Sequence, residues 1–234
     1  MSEFFRRVEK KYILNKEQYD GLKEDIKLYM KEDSHGKSKI CNIYLDSSNY
    51  ELIRNSIEQP VYKDKVRIRS YNTPDLDTNV FIEIKRKSDG VVSKRRLESS
   101  LKSIKQFLKS KELSEIQEND RQVLKELKYY FDLYDLRPTA YVSYDRRAYY
   151  AKEDDNFRIT IDTNIIARNN DLELEKGSYG TQILDKNIYL LETKTLGSLP
   201  LWFVKLLSKY DIKPGRFSKY GELYKKLILK INVA

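Results

Sequence analysis

Length, composition and charge restrict the classes of protein to which this chain can belong. Its 234 residues are 40% hydrophobic and 35% charged, which predicts one large domain over residues 1–234. A single cysteine, Cys41, excludes an internal disulfide framework and a cysteine-based zinc site. The formal net charge of +9 favours an anionic partner, such as nucleic acid, an acidic membrane or a phosphate-rich small molecule.

The sequence contains no recognisable membrane or export segment. No run of 18 apolar residues occurs, and the N-terminal letters MSEFFRRVEKKY lack the apolar stretch of a signal peptide. We therefore predict a cytoplasmic protein without a transmembrane segment, and leave open a separate membrane protein as a partner.

Hydrophobic periodicity, helix caps and turn residues predict the elements in chain order. Strands are predicted at 5–14, 39–47, 63–71, 80–97, 139–150, 157–165 and 188–196, where 80–97 is a hairpin that turns at the letters SDG. Helices are predicted at 15–33, 99–110, 120–133, 199–210 and 217–231, and a short helical or turn segment is predicted at 49–57. About eight strands with helices between and after them indicate an antiparallel α+β protein.

Several strands alternate between apolar and charged residues, as Val80, Ile82 and Ile84 do with Glu83 and Lys85. If the charged faces pointed to solvent, the pattern would carry no function. Its recurrence favours faces that converge in a closed barrel, where each unpaired ion costs several kcal/mol without a counterion. The predicted cations are Arg7, Lys11, Lys65, Arg67, Arg69, Lys85, Lys87, Lys94, Arg96, Arg146, Arg158 and Lys194, and the predicted anions are Glu9, Glu83, Asp162 and Glu192.

A linear chain of phosphates is the polyanion that suits this pattern. Such a barrel is too narrow for a nucleic-acid duplex, and the sequence has no helix-turn-helix, RRM or zinc-finger signature, so we predict no nucleic-acid partner. Cations two residues apart on a strand project side chains about 6 to 7 Å apart. Arginine offers forked donors to phosphate oxygens, and carboxylates among the cations suggest a divalent metal shared with the phosphates.

Seven motifs in order carry a resemblance to a known family: RVEKKYIL, KVRIRSY, FIEIKRK, SYDRRAY, RITIDTNI, LLETKTLGSLPLW and FSKY. Together they resemble the VTC domain, the polyphosphate polymerase branch of the triphosphate tunnel metalloenzyme superfamily. The resemblance implies an eight-stranded antiparallel β-barrel, the triphosphate tunnel, with flanking and capping helices. It also implies transfer of the γ-phosphate of ATP to a growing inorganic polyphosphate chain with a divalent metal, Mn²⁺ or Mg²⁺.

The same resemblance implies roles for individual residues. The catalytic phosphate ligands would be Arg67, Arg69, Lys85, Arg146, Arg158 and Lys219. Further substrate-binding cations would be Lys11, Lys65, Lys87, Lys94, Arg96 and Lys194. Glu192 matches the metal-binding glutamate of the family, and Glu9 and Glu83 are further candidates for the metal.

The first strand departs from the pattern of the related hydrolases and cyclases. They carry ExExK, whereas this chain has Arg7, Glu9 and Lys11. The lost carboxylate removes one ligand for a second metal that would position an attacking water, which favours the polymerase. An inorganic triphosphatase of the same fold and a non-catalytic polyphosphate or inositol-phosphate binding module remain alternatives.

Three of the candidate residues also have structural interpretations. Glu83 could simply pair with Arg67 or Lys85 across the strands, and Glu9 could likewise be a structural partner of the tunnel cations. Asp162 could bind the metal or orient Arg158 or an adjacent lysine.

Overall fold

The structure is a computed structural model that describes residues 7–58, 61–88, 91–113 and 118–230, without the side chains of residues 7, 35 and 119. The six α-helices of this part of the chain are α1 Lys16–Asp25, α2 Glu51–Glu58, α3 Leu101–Ser110, α4 Arg121–Tyr134, α5 Leu201–Lys209 and α6 Lys219–Leu223. The strands are β1 Arg7–Leu14, β2 Met30–Asp46, β3 Tyr62–Tyr71, β4 Asn79–Ser88, β5 Val91–Ser100, β6 Arg137–Ala151, β7 Arg158–Arg168, β8 Thr181–Gln182, β9 Tyr189–Leu196 and β10 Pro214–Gly215.

The predicted α+β class with a large antiparallel sheet is confirmed, but the strand count is not eight. The described residues form ten strands, hydrogen-bonded in the order β10-β1-β9-β7-β6-β2-β3-β4-β5, with β8 on β7. Two of the ten, β8 and β10, have two residues each. Strands this short have no periodicity, so the sequence could not reveal them.

The segment predicted as a helix over 15–33 divides into two elements. Helix α1 ends at Asp25, and β2 already begins at Met30. The start of α1 follows from a capping box, in which the Asn15 side chain accepts a hydrogen bond from the Gln18 backbone N–H and the Gln18 side chain accepts one from the Asn15 N–H. The N-terminal half of β2 was missed because its letters KEDSHGKS are polar and lack strand alternation.

The chain divides into two compact units. The first consists of Met1–Lys39, Tyr144–Ile165 and Leu184–Ser218. In it β1 pairs with β9 and β10, and β9 pairs with β7. Its core contains Tyr12 and Leu14 of β1, Phe157, and Phe203 of α5, each at most 1% exposed.

The second unit consists of Ile40–Ser143, Ile166–Ile183 and Lys219–Ala234. Its strands β2, β3, β4 and β5 pair in succession. Val66 and Ile82 of these strands share one core with Ile104 of α3 and Leu127 of α4. The turn predicted at Asp89 and Gly90 lies outside the described residues, between β4 and β5. Over the described ranges, no helix has the length and apolarity needed to cross a bilayer.

Candidate functional site

The second unit has a strongly basic sheet face, which we call the basic face. Residues that face each other across an antiparallel pair point to the same side of the sheet. The register aligns Arg67 of β3 with Glu83 of β4, and Glu83 with Arg96 of β5. The cations of this face are Lys63, Lys65, Arg67, Arg69, Lys85, Lys87, Lys94 and Arg96. The predicted grouping of these residues on one face, apart from Lys63, which was not predicted, is confirmed by the strand register.

The other face of the same strands lies in the hydrophobic core. Val66, Ile68, Ile82 and Ile84 are each at most 4% exposed. Their burial fixes the register, since a slip of one residue would place the charged side chains in the core. Packing against α3 and α4 therefore holds the basic face in position.

Glu83 lies at the centre of the basic face, and its side chain is 2% exposed. Its Oε2 accepts a hydrogen bond from Arg67 Nε at 2.8 Å and lies 3.7 Å from Arg69 Nε. Lys94 Nζ forms an ion pair with its Oε1. We call these four residues the Glu83 cluster.

The pKa values of the Glu83 cluster reflect its excess of positive charge. Burial acts to raise the pKa of Glu83, but Arg67, Arg69 and Lys94 lower it to about 2. The pKa of Lys94 is also lowered, mainly by burial, because the attraction of Glu83 is opposed by repulsion from Arg69 and Arg67. One carboxylate therefore neutralises only part of the charge of three cations, and the remainder favours an anionic ligand.

Asn42 of β2 supports this cluster, and the sequence prediction missed it. Its Oδ1 accepts a hydrogen bond from Arg69 Nε at 3.2 Å, and its Nδ2 donates to the Val142 carbonyl at 3.1 Å. Nothing in the sequence distinguishes this asparagine from others. Lys63, which was also missed, continues the alternation of β3 and could have been included.

The first unit carries a second charged sheet face. The register aligns Glu9 of β1 with Lys194 of β9, and Lys194 with Arg158 of β7. In the next row, Lys11 faces Glu192. The predicted shared face of Glu9, Lys11, Glu192, Lys194 and Arg158 is confirmed by these registers.

Arg146 and Asp162 of the first unit form a bidentate ion pair. Arg146 Nε and Nη2 donate to the two Asp162 oxygens at 2.6 and 2.8 Å, and the Asp162 side chain is 1% exposed. Burial acts to lower the pKa of Arg146, but the charges of Asp162, Tyr144 and Glu192 raise it well above its ordinary value. Asp162 thus orients Arg146, a partner that the sequence prediction had not considered.

Arg158 and Lys11 have other partners in the first unit. Arg158 Nη2 lies 3.8 Å from Asp33 Oδ2, and its guanidinium lies 4.7 Å from the Tyr150 ring centroid. Lys11 Nζ donates to the Phe217 carbonyl at 2.7 Å. In the second unit, Lys219 begins α6 and is partly exposed.

Two carboxylates of the first unit could hold a divalent cation. Lys194 Nζ lies 3.7 Å from Glu9 Oε1 and 3.4 Å from Glu192 Oε1, so one ammonium already lies near both. Within the described ranges, no three His, Cys, Asp or Glu side chains come together as metal ligands. The pair fits Mg²⁺ or Mn²⁺, because such ions commonly take one or two carboxylates and complete their shell with phosphate oxygens and water.

Comparison with known proteins identifies the family of the chain. The sequence model of the VTC domain matches residues 6–228, so this chain belongs to the VTC domain family, as its motifs had indicated. No curated protein sequence matches the chain.

Solved structures share its fold at low identity. A candidate adenylyl cyclase from Hippeastrum with a dominant triphosphatase activity is 16% identical, with a TM-score of 0.56 and 97% of each chain covered. A candidate adenylate cyclase from Bacillus halodurans is 14% identical, with a TM-score of 0.55, over 91% of this chain and 95% of the other. A candidate adenylate cyclase from Vibrio parahaemolyticus is 10% identical, with a TM-score of 0.51, over 93% and 97%.

Proposed function

We propose that this protein is an ATP-dependent polyphosphate polymerase, which transfers the γ-phosphate of ATP to the end of an inorganic polyphosphate chain. The observation that carries the proposal is the Glu83 cluster, where three cations share one buried carboxylate. The side chains of Arg67 and Arg69 are only 18% and 11% exposed, and positive charge that exceeds the neighbouring negative charge is costly in such a place unless an anion binds it. Membership of the VTC domain family supports phosphate as that anion.

In this proposal Arg67, Arg69 and Lys94 bind phosphate oxygens, and Lys65, Lys85 and Lys87 extend the binding along the basic face. Glu83 serves to orient these cations, since its oxygens are already engaged by them. We therefore assign Glu83 to this pairing role in preference to metal binding. Arg158, Lys11, Lys194 and Lys219 are proposed as further phosphate-binding cations, whereas Arg146, whose guanidinium is held by the Asp162 carboxylate, is assigned a role in stability.

Glu9 and Glu192 would hold the divalent cation, which supplies neutralisation of phosphate charge when it is bound. The reaction needs no side-chain nucleophile, because phosphoryl transfer depends mainly on positioning and charge stabilisation. A terminal polyphosphate oxygen forms a bond to the γ-phosphorus of ATP. The bond from that phosphorus to the β-phosphate oxygen breaks, and ADP leaves.

The test is incubation of the purified protein with ATP and Mn²⁺, with measurement of ADP release and separation of products on a gel stained for polyphosphate. A polyphosphate ladder that Glu192→Gln loses and the surface control Glu173→Gln keeps would support the proposal. Thermal unfolding of both variants would check that each is folded. Free orthophosphate without a ladder would instead indicate the triphosphatase, and binding of polyphosphate without turnover would indicate the binding module.

A further inference from the structure

A small aromatic group lies at one end of the basic face, next to the Glu83 cluster. The rings of Tyr71 and Phe81 meet edge to face with centroids 6.1 Å apart. The guanidinium of Arg96 lies 4.7 Å from the Phe81 ring centroid. Tyr71 is 51% exposed, and Arg96 is exposed as well, so this group is accessible to a ligand.

The strand register places this group beside the proposed phosphate ligands. Phe81 faces Arg69 directly, in the row after the one that pairs Arg67 with Glu83. Tyr71 lies two residues beyond Arg69 on β3, and therefore on the same face. Successive rows are about 7 Å apart, so the aromatic group begins roughly one residue pair away from the Glu83 cluster.

The chemistry of this end differs from that of the rest of the basic face. Toward the other end of the face, Lys65 faces Lys85, and Lys85 faces Lys94. Here Phe81 faces Arg69 on one side and Glu98 on the other. A carboxylate repels phosphate, whereas aromatic rings and a guanidinium plane bind flat, uncharged rings by stacking.

We propose that Tyr71, Phe81 and Arg96 form a platform on which the base of a nucleoside triphosphate stacks, while its phosphates bind the cations around Glu83. This inference rests on the proposed function, which makes ATP the phosphate donor. It changes the role of Arg96, which the family resemblance had placed among the phosphate-binding cations. Arg96 contributes its planar face to the base and holds the Phe81 ring.

The test compares two probes, ATP and inorganic tripolyphosphate, because only ATP carries a base. Binding of each to the wild type and to Tyr71→Ala is measured by titration calorimetry at the same metal concentration. Base stacking predicts that the Kd of ATP rises about tenfold in Tyr71→Ala, while the Kd of tripolyphosphate stays within twofold. Tyr71→Phe keeps the ring and should bind ATP like the wild type.

Tyr62→Ala is the matched control, because Tyr62 is an exposed tyrosine at the opposite end of the same strand. It should change neither Kd. Equal weakening of ATP and tripolyphosphate in Tyr71→Ala, or unchanged ATP binding, would overturn the platform and leave the proposed function standing. A wild-type protein that binds neither probe would overturn both.

Discussion

The charged faces of the two units differ in how many cations and carboxylates contact one another. In the second unit three cations share the single carboxylate of Glu83. In the first unit Arg146 forms a bidentate ion pair with Asp162, and Lys194 lies near both Glu9 and Glu192. The Glu83 cluster therefore contains more cations than carboxylates, whereas these contacts of the first unit contain more carboxylates than cations.

This difference separates groups that are available to ligands from groups that hold the fold. A cation in excess can bind phosphate without losing its structural partner. A cation that forms a buried bidentate pair with a carboxylate cannot be removed without leaving that carboxylate in the interior without this partner. Replacing Arg67 should therefore lower activity with little loss of stability, whereas replacing Arg146 should lower the stability of the fold.

The largest expected effect is on activity, in Arg67→Met. Glu83 keeps Arg69 and Lys94 as partners, so the fold should survive and Tm should fall by no more than about 4 °C, roughly 1 kcal/mol. The loss of one donor to the transferred phosphates should lower the rate of ADP release about 100- to 1,000-fold. Arg86→Met is the matched control, since Arg86 is an exposed arginine of the adjacent strand that pairs with Asp64, and it should keep its activity. Full activity in Arg67→Met would contradict the comparison.

The next largest effect is on stability, in Arg146→Met. The Asp162 carboxylate would be left buried without its bidentate partner, which costs about 3–5 kcal/mol. Thermal unfolding should show a Tm lower by about 10 °C. Replacing Asp162 by Leu in the same variant removes the unpaired charge and should recover most of the loss. If Arg146→Met alone is as stable as the wild type, the Arg146–Asp162 pair does not stabilise the fold.

A smaller effect concerns the pH dependence of the Glu83 cluster. The pKa of Glu83 is about 2 in the folded protein against 4.5 ordinarily, so the stabilisation is complete above about 4.5 and is lost as the pH falls toward 2. The linkage corresponds to about 3 kcal/mol. Urea unfolding at pH 6 should give the wild type a free energy of unfolding higher than that of Glu83→Gln by this amount. Below pH 4.5 the difference between the two free energies should become smaller. A difference that does not change with pH would mean that Glu83 does not titrate in this way.

The smallest effect tests whether the burial of its charges, and not the number of its cations, makes the Glu83 cluster important for stability and activity. In the first unit Asp145 also pairs with two cations, Lys37 and Lys39, whose side chains are 51% and 36% exposed. In the Glu83 cluster the corresponding values are 18% for Arg67, 11% for Arg69 and 39% for Lys94. Because solvent screens the pairs of Asp145, Lys37→Ala should cost less than about 1 kcal/mol in urea unfolding and leave activity unchanged. A loss of activity would place this second cluster within the functional site.

The local patterns of the chain were sufficient to predict most elements and faces. The alternation of Val66 and Ile68 with Arg67 and Arg69 already assigns one side of β3 to the core, because the period of a strand is two residues. The capped start of α1 could be predicted from Asn15 and its helical spacing in the same way. The motifs, taken in order, also predicted the VTC domain family.

Only the tertiary structure decided which charges meet. Asp162 binds Arg146, Asn42 supports Arg69, and Arg96 turns to Phe81, although it faces Glu83 in the register. These contacts join residues far apart in the chain, and long charged side chains can reach several neighbours from one strand position. The sequence determines the face on which each charge lies, since that depends on period alone. The partner of each charge depends on register, burial and rotamer, which exist only once the strands have paired.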